Sequence, residues 1–142
     1  MQKLYKTFIK KFLNCFVLAA LSISTAALDL TFSSTDQSLV AEIANTEALR
    51  RKGLMHRKVL DNNHGMLFLW PESKNQCMWM KNTSLPLSVA YISNKGEILG
   101  IHDMTPFSEE SICASKPVRI ALEVNIGWFK KNNIKTGDQI NL

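Results

Sequence analysis

GMLFLWPESKNQCMWMKNTSLPLSVAYI, residues Gly65 to Ile92, is the stretch whose reading decides the fold. It holds two short apolar runs, a polar elbow at Lys81-Asn82-Thr83, and a proline, Pro86, that opens a third run. Runs of this length, rich in aromatic and branched residues and punctuated by Pro, Ser and Asn, read as strands rather than helices. Met66 to Trp70 predicts a strand buried on both faces and stopped by Pro71. In Cys77-Met78-Trp79-Met80 the side chains alternate, so Met78 and Met80 share one face while Cys77 and Trp79 share the other.

Downstream, Leu87 to Ile92 and Ile98 to Met104 flank Ser93-Asn94-Lys95-Gly96, a hairpin signal that ends at Pro106. A polar loop carrying Cys113 leads through Pro117 to the strand Val118 to Val124. Gly127-Trp128-Phe129-Lys130-Lys131 predicts one helical turn, and Thr136-Gly137-Asp138 turns into a last strand, Gln139 to Leu142. Upstream, Leu28, Leu30 and Phe32 alternate with polar neighbours, as do Leu39, Ala41 and Ile43, which predicts two strands with one wet face each. Asn45 or Thr46 caps a short helix, with Glu47 in its first turn and Arg50, Arg51 and Lys52 toward its end. Gly53 either ends this helix or is carried through it, and Leu49, Leu54 and Met55 supply its inward face. Asp61-Asn62-Asn63-His64-Gly65 is a polar turn.

Residues 1–27 read as an export leader. Lys3, Lys6, Lys10 and Lys11 precede a short apolar run, Phe12 to Leu21, and Thr25 and Ala27 stand at the −3 and −1 places of a cut. An uncleaved anchor is the alternative. A lipoprotein is disfavoured because Cys15 sits inside the apolar run, after a poor Phe12-Leu13-Asn14 lipobox. The mature chain, residues 28–142, is then one β-rich domain with no repeat or linker, periplasmic or secreted, and without a stable membrane span. All four leader charges are basic, so the remainder is nearly neutral, with thirteen basic residues against twelve acidic. That balance is no argument for nucleic-acid binding. Cys77 and Cys113 remain, and two cysteines in an oxidising compartment most often pair; two buried free thiols are the alternative. Such a bridge closes a loop of roughly 37 residues, worth on the order of 3–4 kcal/mol in the chain-entropy model.

Four motifs occur in order: Arg51-x-Gly53-Leu54-Met55-x-Arg57, Gly65-Met66-Leu67-Phe68, Trp79-Met80-Lys81-Asn82-Thr83-x-x-Pro86-Leu87, and Leu122-Glu123-Val124-Asn125-x-Gly127. With them the chain resembles the family called domain of unknown function 192, over nearly all of the mature part. The resemblance implies a mostly β, mostly antiparallel sandwich or barrel-like domain with one short helix, commonly exported in bacteria. Two positions depart from the family pattern: Ser88 replaces an acid, and Ile126 replaces an alanine.

The chemistry-bearing residues are sparse. No Ser, Cys or Thr stands in a recognisable nucleophile motif beside His56, His64 or His102. Glu123 is a candidate glycosidase carboxylate without a named partner. The reading is a non-catalytic binding or accessory module, monomeric and without cofactor, that takes an unknown small ligand or an envelope protein. Its cleft lies near the elbow, lined by Arg57, His64, Trp79, Lys81, Asn82, Thr83 and Glu123, with Trp79 or Trp70 as an aromatic wall for a sugar or peptide. The competing structural reading pairs Glu123 with Arg57 or Lys81 and spends Asn82 and Thr83 on loop backbone. A small hydrolase or carbohydrate-active enzyme using Glu123 and His64 is the runner-up. A copper protein using Met66, Met78, Met80, Met104 and the histidines is the second alternative, weakened because methionine at strand spacing usually fills core gaps.

Overall fold

A computed structural model describes residues 26–142, so the expected leader lies almost wholly outside the described residues. Nine strands and two short helices follow one another: β1 (Ala27–Phe32), β2 (Thr35–Ala44), α1 (Glu47–Lys52), β3 (His64–Lys74), β4 (Cys77–Met78), β5 (Leu87–Ile92), β6 (Ile98–Met104), β7 (Ile112–Cys113), β8 (Val118–Asn125), α2 (Trp128–Lys131) and β9 (Ile140–Asn141). Seven strands form one curled sheet in the order β6-β5-β8-β3-β2-β1-β9, while β4 and β7 form a separate two-stranded arm. The curl brings the two edges together, since Glu97 beside β6 bridges Gln139 beside β9. The mostly β class is what the residues predicted, and the barrel-like curl is what the family resemblance implied.

One pair departs from the antiparallel rule: β2 and β3 run parallel, Val40 opposite His64 through Ala44 opposite Phe68. Parallel neighbours need a crossover connection, and the segment 45–63 carrying α1 supplies it. Thr46 is the N-cap, its hydroxyl accepting from Leu49 N, and Gly53 ends the helix with φ +48°. Leu54 is buried behind that turn.

The sheet buries apolar side chains on both faces. Leu30, Leu39, Leu67, Ile92, Leu122, Val124 and Phe129 fill the concave side. Leu54, Met66, Phe68, Met78, Met80, Leu87, Val89, Tyr91 and Ala121 pack on the other, beneath α1 and the β4–β7 arm. All six residues of β5 are therefore buried. Gly65, at the start of β3, has no room for a side chain, because a Cβ there would meet the Glu123 carbonyl oxygen at 2.5 Å.

Two local expectations change. Pro71 does not stop β3, which continues to Lys74 with its register against β8 broken between Leu69 and Lys74. Proline lacks only a donor, and Arg119 Nε meets the free Trp70 carbonyl at 3.0 Å, so the strand bends outward into the arm instead of ending. The final strand is also shorter than the predicted Gln139–Leu142. By contrast, Met78 and Met80 are buried while Cys77 and Trp79 face outward, as the alternation required. Cys77 and Cys113, directly opposite one another in the arm, form a disulfide with Cα atoms 3.9 Å apart.

Candidate functional site

Glu123 stands at the centre of β8, opposite Met66 on β3 and Val89 on β5, on the face beneath α1 and the arm. It is 4% exposed. Its burial raises its pKa to about 8 from the usual carboxylate value. The structural reading of its partner is corrected on both counts. Arg57 instead makes a bidentate pair with Glu42 on β2, which the parallel β2–β3 neighbourhood brings within reach. Lys81 pairs with Glu109 at 3.5 Å and lies 5.2 Å over the Trp79 ring.

The carboxyl faces a small cavity of about 30 Å³, room for one or two water molecules. Its walls are Gly53, Leu54, Met55, Phe68, Met78, Trp79 and Thr83, and Arg50, Arg51 and Lys52 stand around it. An open groove of about 310 Å³ shares Arg50, Arg51, Met78 and Trp79 with that cavity and adds Glu47, Trp70 and the disulfide half Cys77. Together they form one depression between the C-terminal turn of α1 and the arm. Trp79 is 43% exposed there.

Of the seven residues expected around a cleft, Trp79, Thr83 and Glu123 meet at this cavity. Arg57 and Lys81 are spent in ion pairs. Asn82 takes φ +54° at the elbow, and its carbonyl accepts from His56 N at 2.9 Å. Thr83 supplies backbone order as well, since its N–H reaches the Met80 carbonyl, its carbonyl takes Phe107 N, and its hydroxyl donates to the Lys81 carbonyl. His64 is exposed, with Nδ1 3.1 Å from the Asn62 carbonyl, and does not line the cavity. The Glu123–His64 pair of the runner-up enzyme is therefore not assembled there. Met66, Met78, Met80 and Met104 are all buried in one apolar cluster, and among the described residues no three His, Cys, Asp or Glu side chains converge on a metal-sized site.

The cations of α1 were legible in the sequence only as partners of a helix end; nothing local shows that they stand beside a buried acid. Ser88, where the family pattern has an acid, is on the opposite face of β5 from the cavity. Its hydroxyl donates to Asp103 Oδ1 at 2.6 Å and accepts from Gly127 N at 3.2 Å. The departure at Ser88 therefore leaves the Glu123 cavity untouched.

Solved structures similar to the chain include two bacterial proteins. One is a protein from Sinorhizobium meliloti 1021 described provisionally as a transcription regulator, 35% identical, with a TM-score of 0.79, covering 84% of this chain and 95% of that one. The other is a protein of unknown function from Novosphingobium aromaticivorans DSM 12444, 30% identical, with a TM-score of 0.76, covering 82% and 85%. No match is found among curated proteins. The family model DUF192, "Uncharacterized ACR", matches residues 29–142, and with four ordered motifs and the fold in agreement, the chain belongs to the family of domain of unknown function 192.

Proposed function

We propose that this protein is a non-catalytic binding module whose ligand enters the groove between α1 and the disulfide-closed arm. The observation that carries the reading is Glu123, a carboxyl buried among apolar side chains and facing a cavity that opens beside an exposed tryptophan. Burying a carboxyl opposes its ionisation and weakens the fold as pH rises, so a site that uses it explains why an apolar residue does not stand there. A catalytic role finds less support, because no histidine and no second carboxyl is among the residues lining the cavity with Glu123, and Glu47 in the outer groove is paired with Arg51. The provisional description of the Sinorhizobium relative finds no support in charge, which is close to balanced after residue 25.

Crystals soaked in acetamide and isopropanol test the site. Acetamide is expected against Glu123 and Trp79, with isopropanol in the outer groove. Density for the probes only elsewhere on the surface, with the groove holding water alone, sinks the reading.

Export belongs to the same proposal, supported by the basic and apolar order of residues 1–27 and by the disulfide. Mass spectrometry of the exported protein should find an N-terminus near Leu28. An intact Met1 in that fraction contradicts it.

A further inference from the structure

The inner cavity and its mouth make opposite electrostatic demands. Leu54, Phe68 and Met78 form apolar walls beside the Glu123 carboxyl, and none of the ion pairs among the described residues involves Glu123. Around it stand three cations on the last turn of α1. Arg51 is paired with Glu47. Arg50 donates to the neutral Leu69 carbonyl at 2.7 Å, so its charge is uncompensated by that bond, and Lys52 is exposed. A primary ammonium is close to a water molecule in size and carries three donors, which suits a cavity with room for one or two waters. An acid group suits the mouth. A simple amine meets repulsion at the arginines, and a simple acid leaves Glu123 without a partner.

We infer that the groove takes a small zwitterion, its ammonium head on Glu123 and its acid group at Arg50 and Lys52, with an apolar stem along Met78 and Trp79. The inference rests on the binding reading above and names its ligand class. The ionisable groups around Glu123 are Arg50, Arg51 and Lys52 from α1 and Tyr91 from β5, which feels the Glu123 charge. The facing positions Met66, Phe68, Met78, Trp79 and Thr83 do not titrate.

The test is a titration of the whole exported domain with 6-aminohexanoate, followed by the Trp79 indole resonance, alongside hexanoate and hexylamine. Both charges of 6-aminohexanoate stay fixed between pH 6.5 and 9, so any pH dependence reports the protein. It should bind at least about tenfold more tightly than either control. Its affinity should rise about thirtyfold from pH 6.5 to 9 as Glu123, titrating near 8, becomes ionised. Glu123→Gln, with its spectrum otherwise native, should lose both the advantage over hexanoate and the pH dependence. Lys52→Ala should weaken 6-aminohexanoate but not hexylamine. Equal binding of hexanoate, affinity that falls with pH, or no binding of any of the three overturns the inference. If the acetamide soaks nonetheless fill the groove, only the ligand class falls and the site stands.

Discussion

Glu123→Gln is expected to stabilise the protein by about 4–5 kcal/mol at pH 9 and by much less at pH 5. The argument is linkage. The carboxyl titrates near 8 in the fold, against an ordinary value of 4.5. Between those values the folded protein holds a proton that the unfolded chain has released. Stability from this group is thus fully present below about pH 4.5 and is lost as pH rises through 8. Each unit of separation corresponds to about 1.4 kcal/mol, which sets the magnitude. Glutamine keeps the shape of the protonated acid and never ionises, so its stability curve should stay flat where the native one falls. Urea denaturation of both proteins at pH 5, 7 and 9 reads this directly. Parallel curves across that range would show that Glu123 is compensated in the fold.

Cys113→Ser is expected to cost about 2–4 kcal/mol, the usual range for a native disulfide. The bridge spans 36 residues and joins two strands of two residues each, which among the described residues pair only with each other. Without the bond, the arm that carries Met78 over the Glu123 cavity is held by this short pairing and by a few flanking hydrogen bonds, among them Ala114 N to the Gln76 carbonyl and Met80 N to the Ser108 carbonyl. Tyr91 offers one further tie, its hydroxyl donating to the Ile112 carbonyl at 2.5 Å. Hydrogen exchange should therefore quicken first at residues 77–80 and 112–114, while the β3–β8 pairing stays protected. Added reductant should leave the variant unchanged. A urea midpoint equal to that of the oxidised wild type would show that the bridge contributes nothing.

The elements that local chemistry determines were legible in the sequence. The Ser93–Gly96 hairpin, the alternation at Cys77–Met80, the Thr46 cap and the two-sided burial of Met66–Phe68 each follow from a few neighbouring residues. Long-range partners were not legible. Arg57 reads as a candidate for Glu123 because both lie in apolar motifs, yet Glu42 claims it through a parallel strand pairing that no local pattern announces. The polar elbow drew attention because its residues stand out among apolar ones. In the fold, Asn82 and Lys81 shape and brace the loop, and the depression instead opens toward α1, through residues that read only as ordinary helix surface. Pro71 failed as a stop for a related reason: a missing donor matters only where a neighbour needs one, and neighbours are a property of the whole sheet.

The closure of the sheet bears on the order in which the fold is completed. β1 pairs with β2 on one side and with β9 on the other, and Asn141 reaches back to the Thr31 hydroxyl across 110 residues of chain. Ile140 N also donates to the Gly96 carbonyl, beside β6. A chain delivered from its N-terminal side, by a ribosome or through a membrane pore, therefore presents β1 with one unpaired edge until the last strand emerges. Closing so distant a contact is slow compared with making a helix or hairpin. During that interval an open, apolar-faced edge is a template for a second copy of the same chain. The brevity of β9, two residues, keeps the final step small once the rest has curled into place.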